Sequence, residues 1–478
     1  MISSLPPGAF LGRAEELARL ERVLRRVRRT GEGALLSIRG RRRVGKSRLV
    51  EELIARVGCP AVFYTAVQGP GEMELARFIA AVAQSDAPAG EEVRSGATAR
   101  RWEAALTLAV RGATRAKPVV LVIDELPYLA AKEPTIEAVL QLVWDRTFQR
   151  QPVLVILVGS DRATMEALTQ EGRPLYDRAR DMVVRPLDPA TVGEMLGLAA
   201  AEALDAYVVI GGFPVLAREW GRGRTREQYL ADALTDPSSF LVISAERSLA
   251  AEFPTDLQAR AVLSAIGAGA RAHKAILTRT GLPQSSLDRA LTSLVEKGVV
   301  DRLTPYAVRA SPKNRQYVVA DPYLRFWLRF ARPAIDTIER GRGELAVAHA
   351  ERDWSTFRGR AIEPIVRDAI ERTLPEARFG AARHVGGWWN RTSSVEVDLV
   401  GGDVRPQASE IAFVGSIKWR DEQPFGRADA ATLATQRAAV PGADADTLLL
   451  GVSRSGFDTD AALDLRLTPE DLLGAYRH

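Results

Sequence analysis

The run Gly40-Arg-Arg-Arg-Val-Gly45-Lys46-Ser47 leaves this chain few ways to fold. A glycine, four residues and then Gly-Lys-Ser, set between an apolar segment (Ala34 to Ile38) and a helical pattern (Arg48 to Arg56), is the layout of a phosphate-cradling loop joining a strand to a helix. Gly40 and Gly45 let the backbone turn its N–H groups inward toward phosphate oxygens, and the positive end of the following helix adds to the attraction. Lys46 is expected to reach the β- and γ-phosphates, and the Ser47 hydroxyl to hold Mg²⁺. Arg43, Val44 and Arg48 complete the expected lining of an ATP site.

At 478 residues the chain exceeds one core and points to about three domains of ~150 residues. A single cysteine, Cys59, rules out an internal disulfide, and four scattered histidines give no zinc cluster. Any metal is therefore expected on carboxylates, phosphate and water. No apolar run reaches the ~18 residues of a membrane span, and MISSLPPGAF lacks the order of a signal peptide, so a cytoplasmic protein without membrane contact is expected. Net charge is only +5, yet residues 255–325 hold eleven Lys/Arg against five Asp/Glu. An electrostatic footprint for nucleic acid is expected there.

An arginine-rich helix precedes the loop. Behind it, Ala61 to Ala66 reads as a second strand, and a helical region runs to about Arg115 with a break in the Pro/Gly/Ala-rich stretch near 86–96. Pro118-Val-Val-Leu-Val-Ile-Asp124-Glu125 is an apolar run ending in two carboxylates, as a strand buried on both faces of a parallel sheet would be. Its acidic end belongs beside the phosphate loop, with Asp124 supporting Mg²⁺ and Glu125 activating the attacking water. A further run, Val153 to Val158, leads into Ser160, which either senses the γ-phosphate or caps the next helix. Strand alternating with helix from about Ala34 to Arg185 predicts an α/β, doubly wound sheet.

Residues 188–247 read as helical around Gly211-Gly-Phe-Pro214. Residues 255–325 have the spacing of a winged helix-turn-helix: three helices, then two strands flanking a basic wing. Its third helix would enter the major groove of duplex DNA, with Gln284, Ser285, Ser286 and Arg289 reading bases and Lys313 and Arg315 meeting phosphates. The same module can instead serve a structural or protein-binding role. Asp321 to Phe330 mixes aromatics and arginines at helical spacing, which suits a buried connecting helix better than base stacking.

The motifs FLGRAEEL, GRRRVGKS, VLVIDELPYL, LVWD, LVGS and PLYDRAR, in this order, resemble the archaeal-type P-loop ATPases of the AAA+/STAND group. That resemblance implies that Gly12 and Arg13 lie near the adenine and that residues 188–250 form a helical lid. It also makes Arg178 a charge-stabilising finger, although Asp177 stands where relatives carry glycine and a plain surface arginine remains open. The C-terminal part is similar to the PD-(D/E)xK nuclease-type, restriction-endonuclease-like α/β domain of some members. Glu363, Asp398 and Lys418 match its pattern, on strands expected at 394–400 and 412–420 around a tight turn at Gly401-Gly402, but Ser416 takes the place of an acidic ligand.

The expected parse is an ATPase core at 1–187, a lid at 188–250, a winged helix at 251–330, a linker at 331–353 and a degenerate nuclease-like domain at 354–478. The expected activity is Mg²⁺-dependent ATP hydrolysis coupled to duplex DNA binding. Alternatives are a nucleotide-gated scaffold with little turnover that binds a protein partner or itself, or an ATP-dependent nuclease.

Overall fold

The computed structural model describes residues 10–67, 69–253, 256–309, 311 and 314–477, so the expected phosphate contact Lys313 lies outside the described residues. The chain forms two compact units, 1–187 and 188–478.

The first unit runs α1 (Ala14–Thr30), β1 (Ala34–Arg39), α2 (Lys46–Val57), β2 (Ala61–Thr65), α3 (Gly71–Gln84), α4 (Pro88–Arg94), α5 (Trp102–Ala109), β3 (Val119–Asp124), α6 (Leu126–Lys132), α7 (Ile136–Arg146), β4 (Val153–Gly159), α8 (Arg162–Ala167) and β5 (Ala179–Val183). Its five strands are all parallel, in the order β2-β3-β4-β1-β5. Every residue of β3 and β4 is buried, which is why those segments read as unbroken apolar runs. Each such Val, Leu or Ile contributes about 1.5–3 kcal/mol on burial. Because β4 lies between β1 and β3, Ser160 after β4 stands between the phosphate loop after β1 and the carboxylates ending β3. The Pro/Gly/Ala-rich stretch expected to be a break holds α4 instead, with Pro88 in its first turn, where a missing N–H costs nothing.

The second unit opens with five helices, α9 (Pro189–Leu196), α10 (Ala200–Ile210), α11 (Pro214–Trp220), α12 (Arg226–Ala233) and α13 (Phe240–Glu252). Then come α14 (Leu257–Gly267), α15 (His273–Thr280), α16 (Gln284–Glu296) and an antiparallel pair, β6 (Val300–Leu303) with β7 (Gln316–Val319). α17 (Pro322–Phe326) runs into a π-helical turn at Trp327–Ala331, and Tyr323, Phe326, Trp327 and Phe330 are buried. α18 (Ile335–Glu339), α19 (Glu344–Ala361) and α20 (Glu363–Thr373) precede β8 (His384–Trp389), β9 (Glu396–Gly402), β10 (Ile411–Lys418), α21 (Arg427–Arg437), β11 (Leu448–Ser453), β12 (Leu465–Leu467) and α22 (Pro469–Gly474). The sheet order is β12-β11-β10-β9-β8, antiparallel from β8 to β10 and parallel from β10 to β12.

Three expectations are corrected here. The stretch 331–353 is helical rather than a linker, and α19 runs without interruption across the expected boundary at 354. The segment between β6 and β7 is not a free wing: Tyr306 N–H donates to Gly387 O (2.8 Å), Val308 N–H to Pro441 O (3.1 Å), and Asn314 Nδ2 to Trp389 O (3.2 Å). Tyr306 and Ala307 are buried with Trp388, Val397, Val400 and Ile411, so their apolar surface completes the core of the β8–β12 sheet. Finally, Gly401 and Gly402 lie within β9 rather than in a turn. A Cβ on Gly401 would fall 2.1 Å from the Phe413 ring, so glycine is required by close packing. Among the described residues no helix is long and apolar enough to cross a membrane.

Candidate nucleotide site

The turn after β1 is built by backbone constraint. Gly45 has φ 93° and Arg43 φ 66°, both left-handed, and a Cβ on Gly40 would fall 2.2 Å from Val184 O. Lys46, the first residue of α2, is 6% exposed, and its ammonium donates to Gly40 O (2.9 Å) and Arg41 O (3.0 Å). Burial pulls its pKa down to about 8, against the upward pull of Glu125 and Asp124. A cation held this way, among carbonyls at the loop, is poised for a more strongly charged acceptor.

Ser47 Oγ donates to Asp124 Oδ2 at 2.8 Å, joining the start of α2 to the end of β3. The other oxygen, Oδ1, accepts from Glu125 N–H at 2.9 Å, and burial pushes the Asp124 carboxyl above its usual range. A hydroxyl and a carboxylate in contact are oxygen donors suited to Mg²⁺, and they fit that ion. Among the described residues no group of three His, Cys, Asp or Glu could hold a metal, so the remaining ligands would be phosphate and water. Glu125 has φ 53°, a left-handed conformation that a glutamate adopts only when its surroundings impose it. Ser160 Oγ donates to Glu125 Oε2 at 2.8 Å. The helix cap is Asp161, which accepts from Thr164 N–H, so Ser160 is spared for the site.

Residues 10–214, which contain all of these groups, match a family described as an ATPase domain predominantly from Archaea. This stretch is similar to an ATPase domain. Residues 327–431 match a second family, described as "Archaea bacterial proteins of unknown function". An uncharacterized protein of Methanocaldococcus jannaschii is 24% identical over 421 residues, covering 86% of this chain and 88% of its own. Among solved structures, the Walker-type ATPase of Pyrococcus abyssi covers 69% of this chain and 99% of its own at 19% identity, with a TM-score of 0.48. The Aeropyrum pernix ORC2 protein covers 72% and 97% at 13% identity, with a TM-score of 0.36.

Other expected residues of the first unit play supporting parts. Gly12 and Arg13 take left-handed φ of 67° and 62°, and the Arg13 guanidinium donates to Val44 O (2.9 Å) and Glu16 (3.0 Å). It braces the loop from behind. Val44 is fully buried and anchors the loop by packing, while Arg48 is drawn along α2 to Glu51 and Glu52. Arg178 forms a two-pronged pair with Asp145 at 2.8 and 2.9 Å, so its guanidinium is engaged within its own unit rather than presented as a free finger. Sequence reasoning missed Arg42, which donates to Tyr128 Oη at 2.8 Å beside the loop and helps to lower the Lys46 pKa. Its signal was the arginine run within the motif.

In the second unit Gln284, Ser285 and Arg289 are exposed along α16, as is Arg315 before β7. Ser286 is corrected: it is 8% exposed, on the face that carries Ala290 and Leu294, and cannot read a base. Helical spacing from Ala290 and Leu294 already indicated this.

Asp398, Ser416, Glu363 and Lys418 do come together. Asp398 Oδ2 accepts from Ser416 Oγ (3.1 Å) and Ile417 N–H (2.8 Å). Burial, then Glu363, push the Asp398 carboxyl up, while Arg367 and Lys418 oppose this. Glu363 is paired with Arg367 at 3.0 Å, and Lys418 lies 3.8 Å from Asp429.

Proposed function

We infer that the chain hydrolyses ATP at the loop after β1. Lys46 neutralises the terminal phosphates, Ser47 and Asp124 hold Mg²⁺, and Glu125 takes the proton of the attacking water while Ser160 fixes its carboxylate. The metal, when bound, supplies charge neutralisation across the β- and γ-phosphates. The observation that carries this reading is the joined set Ser47–Asp124 and Ser160–Glu125, each at 2.8 Å, at the carboxyl edge of a parallel sheet. Phosphate release from ATP, measured with Mg²⁺ and with EDTA, tests it. Binding without release would favour a nucleotide-gated scaffold.

Helices α9–α13 are read as a lid and α14–β7 as a winged helix that faces duplex DNA. The exposed Gln284, Ser285 and Arg289 of α16 and the surplus of basic residues in 255–325 support this, with these three and Arg315 as the contacts. Because Tyr306, Ala307, Val308 and Asn314 are engaged by the β8–β12 domain, α16 rather than the wing would carry the contact. Duplex affinity should then fall with salt by a slope of about −0.9 per phosphate neutralised. The β8–β12 domain is read as restriction-endonuclease-like but inactive. The Ser416 hydroxyl satisfies Asp398 where an active site would offer a second carboxylate.

A further inference from the structure

A cavity of about 330 Å³ opens in the second unit between the end of α14, strand β7 and helix α19. Four arginines line it: Arg271 on the turn after α14, Arg325 on α17, Arg329 on the π-helical turn and Arg360 on α19. Among the described residues the lining holds one carboxylate, Asp353, and Arg329 takes it at 2.7 Å. Arg325 is held in place by backbone oxygens, donating to Val319 O (3.2 Å) and Ala361 O (3.3 Å). Among the described residues neither Arg271, Arg325 nor Arg360 has a carboxylate within ion-pair reach. The acidic groups that act on Arg271 from further off are Glu363, already paired with Arg367, and the exposed Glu396. Glu363, Asp301 and Asp321 act similarly on Arg325.

Arginines lining one half-open cavity repel each other, and burial together with Arg271 pulls the Arg325 pKa down to about 10. Such an arrangement is unfavourable in the empty protein and favourable once an anion lies between the cations. Planar, fixed guanidinium donors match the oxygens of a phosphoryl group better than a spherical ion. A cavity of this size accepts a phosphoryl group with an attached sugar. A second depression shares Ala268 and Gly269 with the first and carries Lys274 and Arg279 on α15, so basic groups continue away from the cavity.

We propose that the cavity bounded by Arg271, Arg325, Arg329 and Arg360 is a binding site for a phosphoryl group, free or at the end of a nucleic-acid strand. The site is built wholly from the second unit and does not depend on ATP hydrolysis by the first.

Full-length protein carrying Lys46→Ala, which removes competing phosphate binding at the ATPase loop, is titrated with inorganic pyrophosphate by calorimetry. It is also titrated with 5′-phosphorylated and 5′-hydroxyl single-stranded oligonucleotides by fluorescence anisotropy. Pyrophosphate binding alone identifies a free anion as ligand, and a preference for the 5′-phosphorylated strand identifies a strand end. Either is expected to weaken at least tenfold in Arg271→Gln/Arg360→Gln. Arg360→Glu alone, at an exposed position that folding tolerates, is expected to weaken it similarly, and Arg360→Lys much less. The proposal is overturned if neither probe binds, if the oligonucleotides bind regardless of the 5′-phosphate and pyrophosphate does not, or if binding is unchanged in Arg360→Glu.

Discussion

Ser160 Oγ lies 2.8 Å from Glu125 Oε2, donating a hydrogen bond between the ends of two neighbouring buried strands. Glu125 itself is held at a left-handed φ of 53°, so backbone and side chain are both constrained before substrate arrives. A hydrogen bond to a carboxylate contributes ~1.5–3 kcal/mol when its partner would otherwise be misplaced. Ser160→Ala is expected to lower kcat for ATP hydrolysis roughly tenfold or more while leaving nucleotide affinity within about twofold. Steady-state kinetics beside equilibrium binding of a non-hydrolysable analogue check it; an equal loss in both would assign Ser160 to binding.

Lys46 is expected to make nucleotide binding pH-dependent. Its pKa in the free loop is about 8 against an ordinary 10.5, and a bound polyphosphate would restore the charge. Binding above pH 8 should therefore take up a fraction of a proton, and affinity should weaken as pH rises through that range. For stability the sign is opposite to that of a paired lysine. The unfolded chain binds more protons between pH 8 and 10.5, so this group's contribution to stability rises with pH across that window. Calorimetry in buffers of different ionisation enthalpy measures the uptake, and a buffer-independent enthalpy at pH 8.5 would refute it.

Arg358 is 1% exposed and joins α19 to two other elements, donating to Asp205 (3.0 Å), Asp421 (2.8 Å) and Trp419 O (3.2 Å). Asp205 also accepts from Trp419 Nε1 at 2.7 Å and Arg454 Nε at 3.1 Å. Removing the guanidinium leaves a buried carboxylate short of charge, so Arg358→Ala should destabilise the second unit by ~3–5 kcal/mol. Arg358→Ala/Asp205→Asn should recover part of that loss. Denaturant unfolding of the three proteins measures both.

The phosphate loop, the buried strands and Asp124-Glu125 were legible because each is written in contiguous residues whose period and termini decide their structure. The fate of Tyr306 and Ala307 was not. A short apolar patch in a presumed loop shows that something covers it, but not that the cover is a sheet assembled some eighty residues later. Arg271, Arg325 and Arg360 are likewise far apart in sequence, and only the packing of α14, α17 and α19 brings them to one cavity. Ser286 is different: the helical period of α16 already placed it inward.

In the β8–β12 domain Ser416 already satisfies Asp398, at 3.1 Å, and Glu363 is tied to Arg367. Incubation with plasmid and linear DNA in Mg²⁺ or Mn²⁺ should give no cleavage. Nicking that vanishes in Asp398→Ala would show a working nuclease.

The central claim is that Glu125 is the base of an ATPase whose metal and phosphate contacts are made by other residues. ATP hydrolysis by Glu125→Gln, measured beside ATP binding by the same variant, tests it most directly. The substitution keeps the side chain's size, so binding should remain near wild type while hydrolysis falls by roughly 10²-fold or more, the contribution of a general base. Hydrolysis at the wild-type rate in Glu125→Gln would contradict the account.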